Sequence, residues 1–115
     1  MNESIEKRQY PRFAYSHTAL LITKAECLKV MITDISAHGT GFTAMANIPK
    51  PEDKVKLFLL DNQTGTPIKL PGVVKYNANG HCGAQLLELD EHIKMIYHRL
   101  LMKASIAEKN KIKEA

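Results

Sequence analysis

The chain is poor in the residues that mark most site chemistries. Its 115 residues include two cysteines, seven aromatics with no tryptophan among them, and only three arginines. Cys27 and Cys82 lie far apart in stretches that read as strands, so both are expected as small core residues of a reducing compartment rather than as a disulfide. The five histidines, His17, His38, His81, His92 and His98, show no metal-ligand spacing. His81 and Cys82, adjacent in a strand, point to opposite faces, and no metal site is expected. Tyr15, Phe42, Phe58 and Tyr76 are spread singly over strand-like segments as packing residues. A nucleic-acid-binding barrel would instead interleave aromatics with basic residues on one sheet face, which argues against that class. No apolar run approaches the length of a bilayer span, and Met1 to Glu6 lacks the charge and apolar stretch of a signal peptide. A cytoplasmic protein without membrane insertion is the expectation.

A length of 115 residues suits a single domain with one hydrophobic core, so no separate catalytic or output domain is expected. The formal charge of +4 and pI near 9.1 suit an anionic partner without identifying it. Most of the excess is lysine, scattered as a solvated surface. Arg8 and Arg12 differ, because they are two of the three arginines and lie close together.

Along the chain, residues 1–9 are polar and aperiodic and read as a flexible arm that carries Arg8. Pro11 favours an extended Tyr10. Strand patterns follow over Ala14 to Thr23 and Glu26 to Asp34, joined at Lys24-Ala25; in the second, Leu28, Val30 and Ile32 alternate with Lys29, Met31 and Thr33. A loop over Ile35 to Gly41 leads to a short strand from Gly41 to Met45. Pro49 and Pro51 interrupt the chain before a strand at Lys54 to Leu60, and Asp61 to Pro67 has hairpin-loop composition. Strands at Ile68 to Asn77 and His81 to Leu89 meet at Asn79-Gly80, a tight-turn dipeptide. Six short strands at this spacing predict an antiparallel barrel, all-β apart from its C-terminus. There Asp90 is placed as an N-cap, and Ile93, Ile96, Tyr97, Leu100, Leu101 and Ala104 form one helical stripe that packs on the barrel. The barrel and helix thus occupy 10–107, and 108–115, with Ile112 as the one large apolar residue, is expected to fray.

Two segments concentrate chemistry. Lys7-Arg8-Gln9-Tyr10-Pro11-Arg12 sets two arginines four residues apart, and Asp34-Ile35-Ser36-Ala37-His38-Gly39 is a short acceptor and hydroxyl loop closed by glycine. Guanidinium forks match phosphate oxygens and the guanine O6/N7 edge, and their flat faces stack on bases. A carboxylate accepts from the guanine N1 and N2 hydrogens that arginines leave unsatisfied. Together the segments describe a guanine-nucleotide site. Asp34, Ser36 and His38 also hold the residue types of a hydrolytic triad, but alternating positions in one tight loop splay apart and no nucleophile elbow is present, so no enzyme is expected. As turn residues, Asp34, Ser36 and Gly39 have a purely structural reading too, in which Gly39 supplies a positive φ.

The two segments resemble the signature motifs RxxxR and (D/N)xSxxG of the PilZ family, the receptor module for the bacterial second messenger cyclic di-GMP. Gly72-Val73-Val74 and Gly80-His81-Cys82-Gly83-Ala84-Gln85-Leu86 resemble later strands of that family, so the likeness runs from about Glu6 to about Ile96. Lys7 stands where many members carry another arginine, and Leu86 where an aromatic is common. The resemblance implies a six-stranded antiparallel PilZ-type β-barrel packed by one α-helix, with no cofactor and cyclic di-GMP as ligand. Arg8, Arg12, Asp34, Ser36 and Gly39 would contact the ligand, with Lys7, Gln9, Ala37, His38 and Gly41 at its rim. One ligand or an intercalated pair are both open, basic Lys7 leaning towards the pair. The arm would order on binding, and an unidentified downstream bacterial protein would read the change in trans. The alternatives are a PilZ-fold protein-interaction adaptor with weak or no nucleotide binding and, supported only by net charge, a small nucleic-acid-binding barrel.

Overall fold

The structure is a computed structural model that describes residues 11–45, 49–60 and 64–114, with side chains to residue 110. Six strands, β1 (Phe13–Ile22), β2 (Cys27–Ile35), β3 (Gly39–Thr43), β4 (Lys54–Leu60), β5 (Pro67–Ala78) and β6 (His81–Leu86), precede one helix, α1 (Glu91–Glu114). The strands close into an antiparallel barrel in the order β1-β2-β3-β6-β5-β4. Closure gives every strand two neighbours, with β1 meeting β4 only over Leu20–Ile22.

Turn chemistry sets the hairpins. At the β1/β2 turn the Thr23 hydroxyl accepts from the Ala25 and Glu26 amides, so the turn spans Thr23 to Glu26 rather than two residues. At the β5/β6 turn Asn79 and Gly80 adopt φ of 53° and 91°, the left-handed geometry a two-residue hairpin requires. β3 starts at Gly39, earlier than its sequence pattern suggests, and the loop shrinks to Ser36–His38. β6 stops at Leu86, short of the expected Leu89.

The interior is filled by alternate strand residues, among them Leu21, Ile32, Ile35, Phe42, Leu57, Ile68, Leu70, Val74 and Cys82. Cys82 is buried as expected. Cys27 is not: it is exposed, because it shares the outward parity of Lys29 and Met31 while Val30 and Ile32 point inward. Both thiols are free.

α1 begins with Asp90 as its N-cap, whose Oδ1 accepts from the Ile93 amide at 2.9 Å. The helix packs on β1 and β5. Ile96, Tyr97, Leu100 and Ala104 are buried, and Ile93 and Leu101 are partly so. The opposite face carries exposed Met95, Met102 and Ile106. Helical geometry continues through 108–114, the stretch for which fraying is expected, since it holds good helix formers and no glycine or proline. Among the described residues, no helix is long and apolar enough to cross a membrane.

Leu100 is 5% exposed at the centre of the stripe. Leu100→Ala should lower unfolding free energy by about 2–5 kcal/mol in urea denaturation, through lost burial and the cavity left behind. A loss below about 0.5 kcal/mol would show that α1 is not docked.

Candidate functional site

The site is built on a row that crosses four strands. Asp34 on β2 pairs with Gly41 on β3, Gly41 with Gly83 on β6, and Gly83 with Tyr76 on β5. The neighbours Phe42, Val74 and Cys82 are buried in the barrel, so this row lies on the outer face. Strand alternation alone would not put Asp34 or Tyr76 there, because Ile32 and Val74, two residues before each, point inward. The register shifts between Ile32 and Asp34 and between Val74 and Tyr76 insert one extra residue each and reverse the parity. Such bulges re-aim the side chains that follow them.

The two glycines admit what the bulges deliver. A β-carbon at Gly41 would sit 2.5 Å from Asp34 Oδ2 and 2.9 Å from its Cγ, and one at Gly83 would overlap the Tyr76 ring. The carboxylate thus lies over one glycine and the phenol over the other. Thr33 Oγ1 donates to Asp34 Oδ2 at 3.3 Å, and Arg12 Nη1 donates to the Tyr76 hydroxyl at 3.2 Å, linking the start of β1 to β5.

Next to this row is a groove of about 200 Å³ whose lining includes Arg12, Ser36, His38, Gly39, Lys75 and Tyr76. Arg12 and Lys75 give it positive charge. Lys75 pairs with Glu52 at 3.4 Å, but both side chains are well exposed, and such a pair is worth about 0–1 kcal/mol. An anion can displace it at little cost.

The loop between β2 and β3 closes one end. The Ser36 amide donates to the Gly39 carbonyl at 2.9 Å and the Ser36 hydroxyl to the same oxygen at 3.3 Å, so Ser36 first serves the loop itself. The Leu86 amide donates to the His38 carbonyl at 2.8 Å. From α1 the Tyr97 hydroxyl reaches the Ser36 carbonyl at 2.7 Å and the Gly39 carbonyl at 3.1 Å. Burial pushes the Tyr97 hydroxyl above the usual tyrosine range, and the Asp34 charge adds in the same direction.

The expected site residues divide accordingly. Arg12, Ser36, His38 and Gly39 line the groove together. Asp34 and Gly41 form the adjoining row, while Ala37 lines a second groove beside α1 that also includes His38, Lys94 and Tyr97. Lys7, Arg8 and Gln9 lie outside the described residues. Gly39 differs from expectation. Among the described glycines only Gly65 and Gly80 have positive φ, and Gly39 is extended in β3. Its surroundings are close rather than its φ unusual, since a β-carbon would stand 3.0 Å from the Ala84 carbonyl oxygen. Sequence reasoning missed Tyr76, Gly83, Lys75 and Tyr97 as site residues. Two glycines inside otherwise apolar strands were the available signal for the first pair; nothing in the sequence marks Tyr97 apart from its helical stripe. Among the described residues, no group of three or more His, Cys, Asp or Glu side chains could hold a metal ion.

The family model for the PilZ domain matches residues 6–103, and the chain belongs to that family, whose members are cyclic di-GMP-binding receptor or adaptor domains, typically non-enzymatic. Its fold is similar to that of the PilZ domain of CeSA from a cellulose-synthesizing bacterium, with TM-score 0.65 and 14% identity over 81% of this chain and 96% of that one. It is also similar to the Bacillus subtilis inhibitor of motility MotI/DgrA, with TM-score 0.69 and 18% identity over 91% of this chain. The chain spans about half, 52%, of that second protein. None of the curated protein sequences matches this chain significantly.

Two measurements probe this geometry. Gly83→Ala should cost about 1–3 kcal/mol of stability by overpacking and swing Tyr76 off β6, removing its contact with Arg12; an unchanged melting temperature and unchanged Tyr76 ring shifts would contradict the packing. For Tyr97, a folded-state pKa above the unfolded one means its contribution is complete below the ordinary tyrosine value and is lost as pH rises beyond it. Between pH 8 and about 11, the wild type should therefore lose more unfolding free energy than Tyr97→Phe. Equal losses would place the hydroxyl in water.

Proposed function

We propose that this chain is a bacterial cytoplasmic receptor that binds cyclic di-GMP reversibly, catalyses nothing, and presents its occupied state to a separate protein. The observation that carries this reading is the outer-face row of Asp34, Gly41, Gly83 and Tyr76, with Arg12 hydrogen-bonded to its end and the Ser36–Gly39 loop beside it. A flat, two-guanine, doubly anionic ligand suits each part. Tyr76, lying over Gly83, offers an aromatic face to a planar base, and Asp34 is an acceptor for the N1 and N2 hydrogens of guanine. Arg12 and Lys75 meet phosphate, and Arg8 joins them from the N-terminal segment. Ligand contact with Arg8 orders residues 1–9 against the barrel, which changes the surface a partner reads. The likeness to a cellulose-synthesizing bacterium's PilZ domain and to an inhibitor of motility supports a partner in a polysaccharide or motility system.

Calorimetry with cyclic di-GMP, GMP, GTP and an oligonucleotide at two salt concentrations tests the reading. Cyclic di-GMP should bind selectively with Kd on the order of micromolar, more weakly at high salt. Arg8→Ala, Arg12→Ala and Asp34→Ala should each weaken binding by about tenfold or more with little change in melting temperature. A folded chain that gives no heat and no NMR shift at several hundred micromolar ligand, a roughly generous ceiling, would return the nucleotide-free adaptor, and preference for the oligonucleotide would return the nucleic-acid barrel.

A further inference from the structure

The Ser36–Gly39 loop is held by donors from three places. Ser36 closes it from within, Leu86 on β6 takes the His38 carbonyl, and Tyr97 on α1 reaches two carbonyls at once. Tyr97 is 61 and 58 residues distant from those two partners in sequence, so the loop's shape depends on a helix formed at the other end of the domain. A phenol has one hydrogen, and at 2.7 and 3.1 Å it is shared between the Ser36 and Gly39 oxygens. The ring is 3% exposed, flanked along the helix by buried Ile96 and Leu100, so the hydroxyl has little freedom to leave. Peptide planarity extends its reach. In a trans unit N–H and C=O point in opposite directions, so drawing the Ser36 carbonyl towards α1 turns the Ala37 amide away from it.

Resting on the reading of Ser36–Gly39 as the nucleotide loop, we propose that Tyr97 is a positioning residue for that loop, and that its hydroxyl couples loop occupancy to helix α1. The hydroxyl touches backbone rather than ligand. It sets the peptide planes that the ligand meets, and a ligand that fixes those planes holds the hydroxyl, and with it the helix, more firmly. Linkage makes the effect reciprocal: whatever loosens Tyr97 weakens the ligand by the factor with which the ligand tightens Tyr97.

The test uses the full chain with Tyr97→Phe, which keeps the ring and deletes the shared hydrogen, and Ile96→Val, which trims the same helix stripe with the hydroxyl intact. Calorimetry with cyclic di-GMP should show Tyr97→Phe binding about five- to tenfold more weakly, with Ile96→Val close to wild type. Hydrogen exchange over 91–104 should slow on ligand addition in wild type and Ile96→Val but not in Tyr97→Phe. In the free protein the Ser36 amide should exchange faster in Tyr97→Phe than in wild type. Wild-type affinity and helix protection in Tyr97→Phe would overturn the coupling while leaving the nucleotide reading intact. If Ile96→Val weakens binding as much as Tyr97→Phe, general helix stability is responsible and the proposal is wrong. A wild type that does not bind overturns the nucleotide reading and the coupling to it, and unchanged Ser36 exchange in Tyr97→Phe overturns the positioning role itself.

Discussion

The outer face of the barrel depends on two missing β-carbons. Where β3 and β6 run side by side, Gly41 and Gly83 face each other across the ladder, and each lets a side chain from the flanking strand lie down on it. Glycine in a strand is ordinarily a weakness, because it gives up more backbone entropy and packs nothing of its own. Here the packing comes from the neighbours. Tyr76 covers Gly83 and the Asp34 carboxylate covers Gly41, and both glycines are buried although they lie on the outward side. Covering a strand glycine with a cross-strand aromatic offsets part of the lost packing. It also holds two polar groups, a carboxylate and a phenol, over neighbouring positions of the outer face.

The two strand irregularities and the two glycines need each other. Without the extra residue after Ile32, Asp34 would follow Ile32 into the core, where an ionised carboxylate without a partner is costly. Without the extra residue after Val74, Tyr76 would take the place of a core aliphatic. The bulges move both side chains outward, and only glycine opposite them leaves room to settle. Arg12 then finds the phenol hydroxyl as a partner, which places its guanidinium at the groove.

The helix has a second role beyond covering the barrel. Burial of Ile96, Leu100 and Ala104 fixes its position, and that position delivers the Tyr97 hydroxyl to the β2/β3 loop. A residue that reads as a stripe member in one dimension is a loop partner in three. The site is therefore not carried by the barrel alone.

Much of this was legible in the chain, and the boundary of legibility has a physical cause. Period-two alternation over Leu28 to Thr33, the Asn79-Gly80 turn, the Asp90 cap and the helical stripe from Ile93 to Ala104 are local signals, and six strands with one helix followed from them. The pairing of Arg12 with the Ser36 loop was legible because both lie in short motifs of the PilZ type. What the alternation could not reveal is where it breaks. A bulge changes which face a residue takes through its register with another strand, so Asp34 and Tyr76 reach one row only through pairings with residues 7 positions away in sequence in each case. Cys27 and Gly39 show the same limit at single residues. One is outward by strand parity rather than buried by its thiol character, and the other lies extended against β6 rather than at a positive φ. The sequence by itself determined the elements, the turns and the composition of the site, because those rest on neighbours along the chain. Only the tertiary structure decided that Gly83, Tyr76 and Tyr97 belong to it, because their roles are set by backbone atoms of other strands and of a loop some sixty residues away that no local pattern encodes.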